Sequence, residues 1–183
     1  DLTTWTYDSA SGVVTAKTDA QGHAVTYDYN LIGKLTKRVW ARGLETNYSY
    51  DSATGKLLKI DYTDDTPDIV YTYNRLGLLT TVQDAAGERI FSYNAQLLLT
   101  NETINGIYNK TITRDYTATG MRGKTLCMSV NGDKNFTYEY DEYGRLNKII
   151  TAAGTFNYSR LDNSSLISQI TRPNGTSTTW NYE

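Results

Sequence analysis

The stretch Tyr140-Asp141-Glu142-Tyr143-Gly144-Arg145-Leu146 holds the plan of this chain. Its first tyrosine stands two residues after another aromatic, Tyr138, so both rings share one face of an extended strand. The Asp that follows can close a turn with its own side chain, and the Gly accepts the positive φ such a turn needs. The segment therefore predicts a strand that ends in a tight turn, after which Leu146 opens the next strand.

Working outward, the same pair recurs as Trp5/Tyr7, Tyr27/Tyr29, Tyr48/Tyr50, Tyr71/Tyr73, Phe91/Tyr93, Tyr138/Tyr140, Phe156/Tyr158 and Trp180/Tyr182, with Arg114/Tyr116 as the one departure. The second members lie 22, 21, 23, 20, 23, 24, 18 and 24 residues apart. A unit of about 22 residues is thus copied eight times, within the range of repeat architectures. The turn half of the motif repeats as Tyr7-Asp8 to Gly12, Tyr29-Asn30 to Gly33, Tyr50-Asp51 to Gly55, Tyr73-Asn74 to Gly77 and Tyr140-Asp141 to Gly144, with an apolar group just beyond each glycine. In the fifth and sixth units the pattern drifts: Leu97 stands where glycine is expected, Tyr116 is followed by Thr117, and Gly120 and Gly123 punctuate a longer unit.

A second turn divides each unit. It reads Asp19-Ala20-Gln21-Gly22, Ala41-Arg42-Gly43, Asp84-Ala85-Ala86-Gly87, Asn105-Gly106, Asn131-Gly132, Ala152-Ala153-Gly154 and Pro173-Asn174-Gly175, with the acidic Thr63 to Asp68 stretch in the third unit. Asn-Gly between strand-like runs is a strong hairpin signal, because both central residues of a type I′ turn need positive φ. The intervening runs are rich in Thr, Tyr, Val and Ile, which suit a pleated, half-buried surface. One irregularity is informative. Leu79 to Val82 and Leu146 to Ile149 are three apart, which strict alternation puts on opposite faces, so a bulge or burial of both faces is required there.

These features predict an all-β chain, residues 1–183 forming a single repeat domain of antiparallel hairpins. Eight hairpins make about 16 strands, and open twisted sheets rarely exceed about 10 without curling, so the sheet is expected to curl or spiral around an interior. The tyrosines Tyr7, Tyr29, Tyr50, Tyr73, Tyr93, Tyr140, Tyr158 and Tyr182 are expected to form a structural ladder, in which Tyr29, Tyr50, Tyr73, Tyr93, Tyr140 and Tyr158 occupy equivalent and substantially buried places, with Gly12, Gly33, Gly55, Gly77 and Gly144 as structural turns.

Composition narrows the function. With 39% hydrophobic residues and Pro only at 67 and 173, the 183-residue chain is not of disordered type. A net charge of −2 offers no basic stripe for phosphates, which argues against nucleic acid as a partner. No apolar run approaches the roughly 20 residues a spanning helix needs, and Asp1-Leu2 opens no signal peptide, so any targeting segment is expected outside this stretch. Cys127 is the one cysteine, which excludes an internal disulfide and suits a small packing group better than a nucleophile.

The Tyr-Asp-x-x-Gly-Arg-Leu segment from Tyr140 to Leu146, with looser copies at Tyr29, Tyr50 and Tyr73, resembles the YD repeat of the RHS family. That family includes bacterial polymorphic toxins, the B and C components of insecticidal toxin complexes, and animal teneurins. The resemblance runs from Tyr7 to Tyr182. It implies a hairpin ribbon spiralling into a hollow shell, which in the toxins encloses a C-terminal cargo domain and in teneurins forms part of an adhesive ectodomain. RHS toxin cores usually end in an Asp-Pro-containing segment tied to plugging and self-cleavage, and this chain has no Asp-Pro dipeptide, so neither cargo nor protease is assigned.

Candidates for chemistry are few. His23 is the only histidine and sits beside Gly22 in a turn, which rules out a histidine triad or multi-histidine metal site. Asp61, Asp64, Asp65 and Asp68 present enough oxygens for a carboxylate pair or a calcium loop, against the plainer reading of a solvated hairpin tip. Asp8, Asp51 and Asp141 recur with the period of the fold and are turn formers. The sequons at Asn47, Asn101, Asn109, Asn135, Asn157, Asn163 and Asn174 follow from a Thr-rich composition and carry no weight.

The leading expectation is a non-catalytic structural segment of an RHS/YD-repeat shell, on a secreted or cell-surface bacterial protein, needing no cofactor or metal. Its partners are then flanking repeats or an encapsulated domain of the same polypeptide. A carbohydrate- or receptor-binding adhesion module is the alternative, holding a glycan or cell-surface receptor on exposed aromatics. A glycan-processing enzyme built on Asp61 to Asp68 is the weakest. Because neither end shows a polar cap, the chain is also expected to be a segment of a longer array, with edge-to-edge self-association when alone.

Overall fold

The computed structural model describes residues 2–116 and 123–182, and Thr117 and Gly120 lie outside them. Every described element is a strand, seventeen in all. They fall in two units, Asp1–Arg89 and Ile90–Glu183. The first contains β1 (Thr4–Tyr7), β2 (Val14–Thr18), β3 (Ala24–Tyr29), β4 (Leu35–Val39), β5 (Glu45–Tyr50), β6 (Leu57–Tyr62), β7 (Ile69–Tyr73) and β8 (Leu79–Asp84). The boundary falls inside β9 (Gly87–Tyr93). The second unit continues with β10 (Leu99–Ile104), β11 (Lys110–Tyr116), β12 (Thr125–Val130), β13 (Lys134–Tyr140), β14 (Leu146–Thr151), β15 (Gly154–Arg160), β16 (Ile167–Thr171) and β17 (Ser177–Thr179).

Within the first unit, β1 through β8 each pair antiparallel with the next strand in sequence. Within the second, β10 through β17 do the same. The expected all-β ladder of consecutive hairpins is what forms, and the paired aromatics explain its positions. Tyr7, Tyr29, Tyr50, Tyr73, Tyr93 and Tyr140 end their strands, and the Asp or Asn that follows each closes the turn. Asn30 Oδ1 accepts from the backbone N–H groups of Ile32 and Lys34 at 3.1 and 2.9 Å, and Asn74 repeats this with Leu76 and Leu78 at 3.0 Å each. In the longer Asp turns, Asp8 and Asp51 accept from Ser11 and Thr54 instead, at 2.7 and 2.6 Å.

The turn after Asn94 tests the glycine rule. Leu97 takes the glycine place with φ +63°, and its N–H still donates to Asn94 O at 2.9 Å. The turn geometry is imposed by Asn94, and Leu97 bears the left-handed strain, which costs an L-residue about 1 kcal/mol or more. Leu97→Gly is therefore expected to raise stability by about 1 kcal/mol, read as a shifted urea midpoint at unchanged slope. A lowered midpoint would show that the Leu97 side chain contributes more than its backbone costs.

Bulges occur where the three-residue apolar spacing requires them. Thr72 pairs with Thr81 and Tyr73 with Leu79, leaving Thr80 as the extra residue; Glu139 pairs with Lys148 and Tyr140 with Leu146, leaving Asn147. Leu79 and Val82 thereby share a face with Tyr73 and Tyr71. The same shift follows Thr6, Asp28, Ser49 and Asp115. One placement differs from expectation. The shift in the eighth unit lies between Ser159 and Arg160, with Arg160 opposite Ile167 and Tyr158 opposite Ile170. Tyr158 is thus the counterpart of Tyr138, which faces Ile149, and Arg160 fills the anchor place. The irregular step in the sequence spacing came from counting Tyr158 as an anchor.

Register sorts the chain into two faces. Tyr27, Arg38, Thr46 and Tyr62 are paired successively across β3 to β6 and share one face with Tyr48, Tyr50 and Ile60, while Asp28, Lys37, Asn47 and Asp61 share the other. Within each unit the described strands touch only their sequence neighbours, so among the described residues no second layer packs on either face. Deep burial is correspondingly sparse: among the described residues only Val82 and Thr46 are buried. The tyrosine ladder is half-buried rather than buried, and Tyr7 and Tyr182 are 58% and 45% exposed. A ring in a single layer is covered by lateral neighbours alone.

Candidate functional site

The residues that the repeat brings together form a lock at the rim where the tyrosine turns lie. Between β4 and β5 the ladder stops at Lys37 opposite Asn47, which leaves the Leu35 carbonyl without a backbone donor from β5. The Tyr50 hydroxyl donates to it at 2.8 Å. Tyr73 donates to Leu57 O at 2.9 Å, Tyr116 to Leu99 O at 2.6 Å, Tyr140 to Thr125 O at 2.8 Å and Tyr182 to Ile167 O at 2.8 Å. In each case the acceptor is the strand residue that precedes the bulge. The ring fills the notch between two turns while its hydroxyl supplies the missing donor, which is why tyrosine rather than phenylalanine recurs there.

A cation completes the lock. Lys34 Nζ stands 5.1 Å from the centre of the Tyr50 ring and donates to the carbonyl of Gly55. Lys56 covers Tyr73 at 5.1 Å and Lys124 covers Tyr140 at 5.9 Å. Arg145 binds Asp141 Oδ2 through Nε at 2.7 Å and reaches Ser164 O in the following turn through Nη1. These four residues each follow a turn glycine, so the Gly-Lys/Arg step was the signal for them. The same packing explains Gly55: a Cβ there would stand 2.6 Å from Lys34 Nζ.

Electrostatics at the rim follow from these bonds. Burial pushes the Tyr50 and Tyr140 hydroxyls above the ordinary phenol range, with Tyr48 and Tyr138 adding to it, so both stay protonated donors. The Ser11 hydroxyl and backbone hold Asp8 below the usual carboxylate range, and those of Thr54 do the same for Asp51. At Asp141 burial pushes upward, but the Arg145 backbone and guanidinium outweigh it and the carboxyl is lowered. A carboxyl depressed by folding stabilises the folded state above its unfolded pKa, and that contribution disappears as pH falls through the folded value. Stability is therefore expected to fall below about pH 4. Asp51→Asn should flatten that fall in urea melts between about pH 5 and 2.5, and identical slopes in both proteins would contradict the assignment.

Shallow cavities occupy the notches. One of about 380 Å³ lies between the Asn30 and Asp51 turns beside Ile32, Lys34 and Tyr50, and one of about 200 Å³ lies between the Asp51 and Asn74 turns beside Lys56, Tyr73 and Arg75. A third, of about 300 Å³, is lined by Arg145, Tyr158, Arg160 and Asp162.

The other candidates fare differently. Asp61 and Asp68 do not face each other across a cleft: Lys59 Nζ lies between them, 2.7 Å from each, and both hydrogen bonds raise its pKa. Asp64 turns away to accept from the Thr66 N–H at 3.1 Å and lies 3.7 Å from Arg42. The stretch is an acidic hairpin end whose Asp61, Asp64 and Asp68 are held by Lys59 and Arg42, and no metal-holding group of His, Cys, Asp and Glu occurs among the described residues. His23 Nδ1 rests 3.0 Å from Asp19 Oδ2 in an exposed turn. Cys127 is half-buried opposite Thr137.

Bulged antiparallel hairpins, five of them fastened by a tyrosine that caps the neighbouring strand, define a β-hairpin repeat protein. Solved structures similar to the chain include the Tc holotoxin pore of Photorhabdus luminescens, at 18% identity and TM-score 0.42 over 91% of this chain and 10% of that one. TcdB2-TccC3 without its hypervariable C-terminal region is similar at 19% and 0.38 over the same shares. A porin-like protein from Bacteroides uniformis ATCC 8492 is similar at 18% and 0.35, over 97% of this chain and 92% of that one. The chain thus spans about a tenth of the toxin-complex chains it matches. No family model and no curated protein matches it. These superpositions are loose, and the fold class stands on the hairpins and their register.

Proposed function

We propose that this chain is a non-catalytic wall: a segment of an RHS/YD-type shell of a secreted or cell-surface bacterial protein, enclosing or displaying another domain of the same polypeptide. The observation that carries the reading is the lock itself. The residues most able to do chemistry or bind, Tyr50, Tyr73 and Tyr140 with Lys34, Lys56 and Lys124, are consumed in fastening each hairpin to the next. Such a chain is built to continue a surface. Limited trypsin digestion of the whole natural polypeptide, followed by mass spectrometry, tests it. A domain that resists cleavage until the hairpins unfold supports enclosure; one cut at the same rate while they remain folded overturns it.

Adhesion is favoured by one observation, the rim cavities, each of which combines a tyrosine with a cation. Saturable binding of neutral oligosaccharides, lost on Tyr50→Phe, would favour that reading.

A further inference from the structure

The two faces differ in charge as well as in polarity. On the aromatic face of the first unit, Lys17 lies opposite Trp5 and Val25, and Arg38 opposite Tyr27 and Thr46. On that of the second, Arg114 lies opposite Met128 and Arg160 opposite Ile167. The carboxylates there, Asp84 and Glu102, are taken by Arg89 at 3.1 Å and Arg114 at 3.4 Å. Among the described residues Lys17, Arg38 and Arg160 have no carboxylate within ion-pair distance, and Asp162, which lines a cavity with Arg160, makes no ion pair with it.

The opposite face has the reverse balance. In the first unit Asp28, Glu45 and Asp61 stand there against Lys37 and Lys59, and in the second Asp115 and Glu139 against Lys148. A near-neutral chain has therefore been sorted into a cationic aromatic face and an acidic hydroxyl-rich one.

Three donors on the aromatic face also lack acceptors. Arg38 Nε, Arg114 Nη1 and Arg160 Nε are buried atoms without a hydrogen-bond partner. Buried donors of a charged group are costly to leave unpaired, and the unit has no second layer to supply acceptors. From this geometry we infer that the aromatic face of each unit docks an acidic stretch of polypeptide, whose Asp or Glu side chains meet Lys17 and Arg38 in the first unit and Arg160 in the second while apolar side chains beside them cover the rings. The inference rests on the wall reading and assigns a chemistry to what the wall faces. Carboxylates match the guanidinium fork, and at Arg38 and Arg160 the buried unpaired atom is Nε, not the outer Nη groups that would meet them. Lys17 and Arg38 sit two strands apart and two residues out of register, roughly 12 Å, with Val25 and Tyr27 on the strand between. That spacing is too sparse for a nucleic-acid backbone, which presents charge at every step.

The whole chain titrated with poly-L-glutamate at low salt tests this, read by tryptophan fluorescence because Arg38 stacks 3.9 Å over Trp40 and Lys17 4.9 Å over Trp5. Saturable binding is expected, weakened at least about fivefold in Arg38→Gln/Arg160→Gln and unchanged in Lys148→Gln on the other face. Lys17→Gln, which removes no buried guanidinium, gives the same reading should the double variant fail to fold by circular dichroism. The inference falls if poly-L-glutamate does not bind, if the folded variants bind as tightly, or if oligo-dT or poly-L-lysine binds more tightly. The trypsin experiment does not depend on this charge, so the wall reading survives such a failure.

Discussion

Tyr73→Ala is expected to destabilise the chain by about 3 kcal/mol, while Tyr73→Phe costs about 1–2 kcal/mol. The alanine removes a half-buried ring from the notch, strips Lys56 of the surface it covers at 5.1 Å, and leaves the Leu57 carbonyl without its 2.9 Å donor. The phenylalanine keeps the ring and loses the hydroxyl alone. Chemical denaturation of the three proteins separates packing from capping. Equal loss in both variants would mean that the ring contributes nothing, and no loss in either would mean that the lock does not hold the hairpins.

The second large effect lies at the opposite rim. Gly154 has φ +117°, a conformation L side chains rarely adopt, and a Cβ there would stand 2.7 Å from Pro173 Cβ and 3.6 Å from its Cα. Unlike the end of a lysine, a proline ring and backbone have little room to yield. Gly154→Val is therefore expected to cost about 3 kcal/mol or more, combining backbone strain with displacement of the neighbouring turn. Pro173→Gly, which removes the Cβ that is met at 2.7 Å, should recover part of the loss in the double mutant, and strictly additive losses would show that the two turns do not press on each other.

Much of this was legible because the repeat averages over accidents. Eight aromatic pairs marked the repeat and located most of the strand ends, and the three-residue spacing from Leu79 to Val82 demanded the bulge found at Thr80. Three features were not legible. Tyr158 passes for an anchor because Phe156-Asn157-Tyr158 matches the local pattern, and only pairing shows Arg160 in that place. The depth of the ladder depends on whether a second layer covers it, which alternation along a strand does not encode. The acidic Asp61 to Asp68 stretch resembles a site by composition, whereas its chemistry is decided by Lys59, which pleating places on the same face as Asp61. The cations at Lys34, Lys56 and Lys124 were readable in principle from the recurring Gly-Lys step.

Because each strand within a unit touches only its sequence neighbours, the free energy of the array is a sum over adjacent interfaces. Removing one whole hairpin pair and joining its neighbours replaces like interfaces with like, at little cost beyond the pair itself. The length of such a chain is then an adjustable quantity in evolution. Duplication or loss of a 22-residue cassette changes how much surface is built without redesigning any contact.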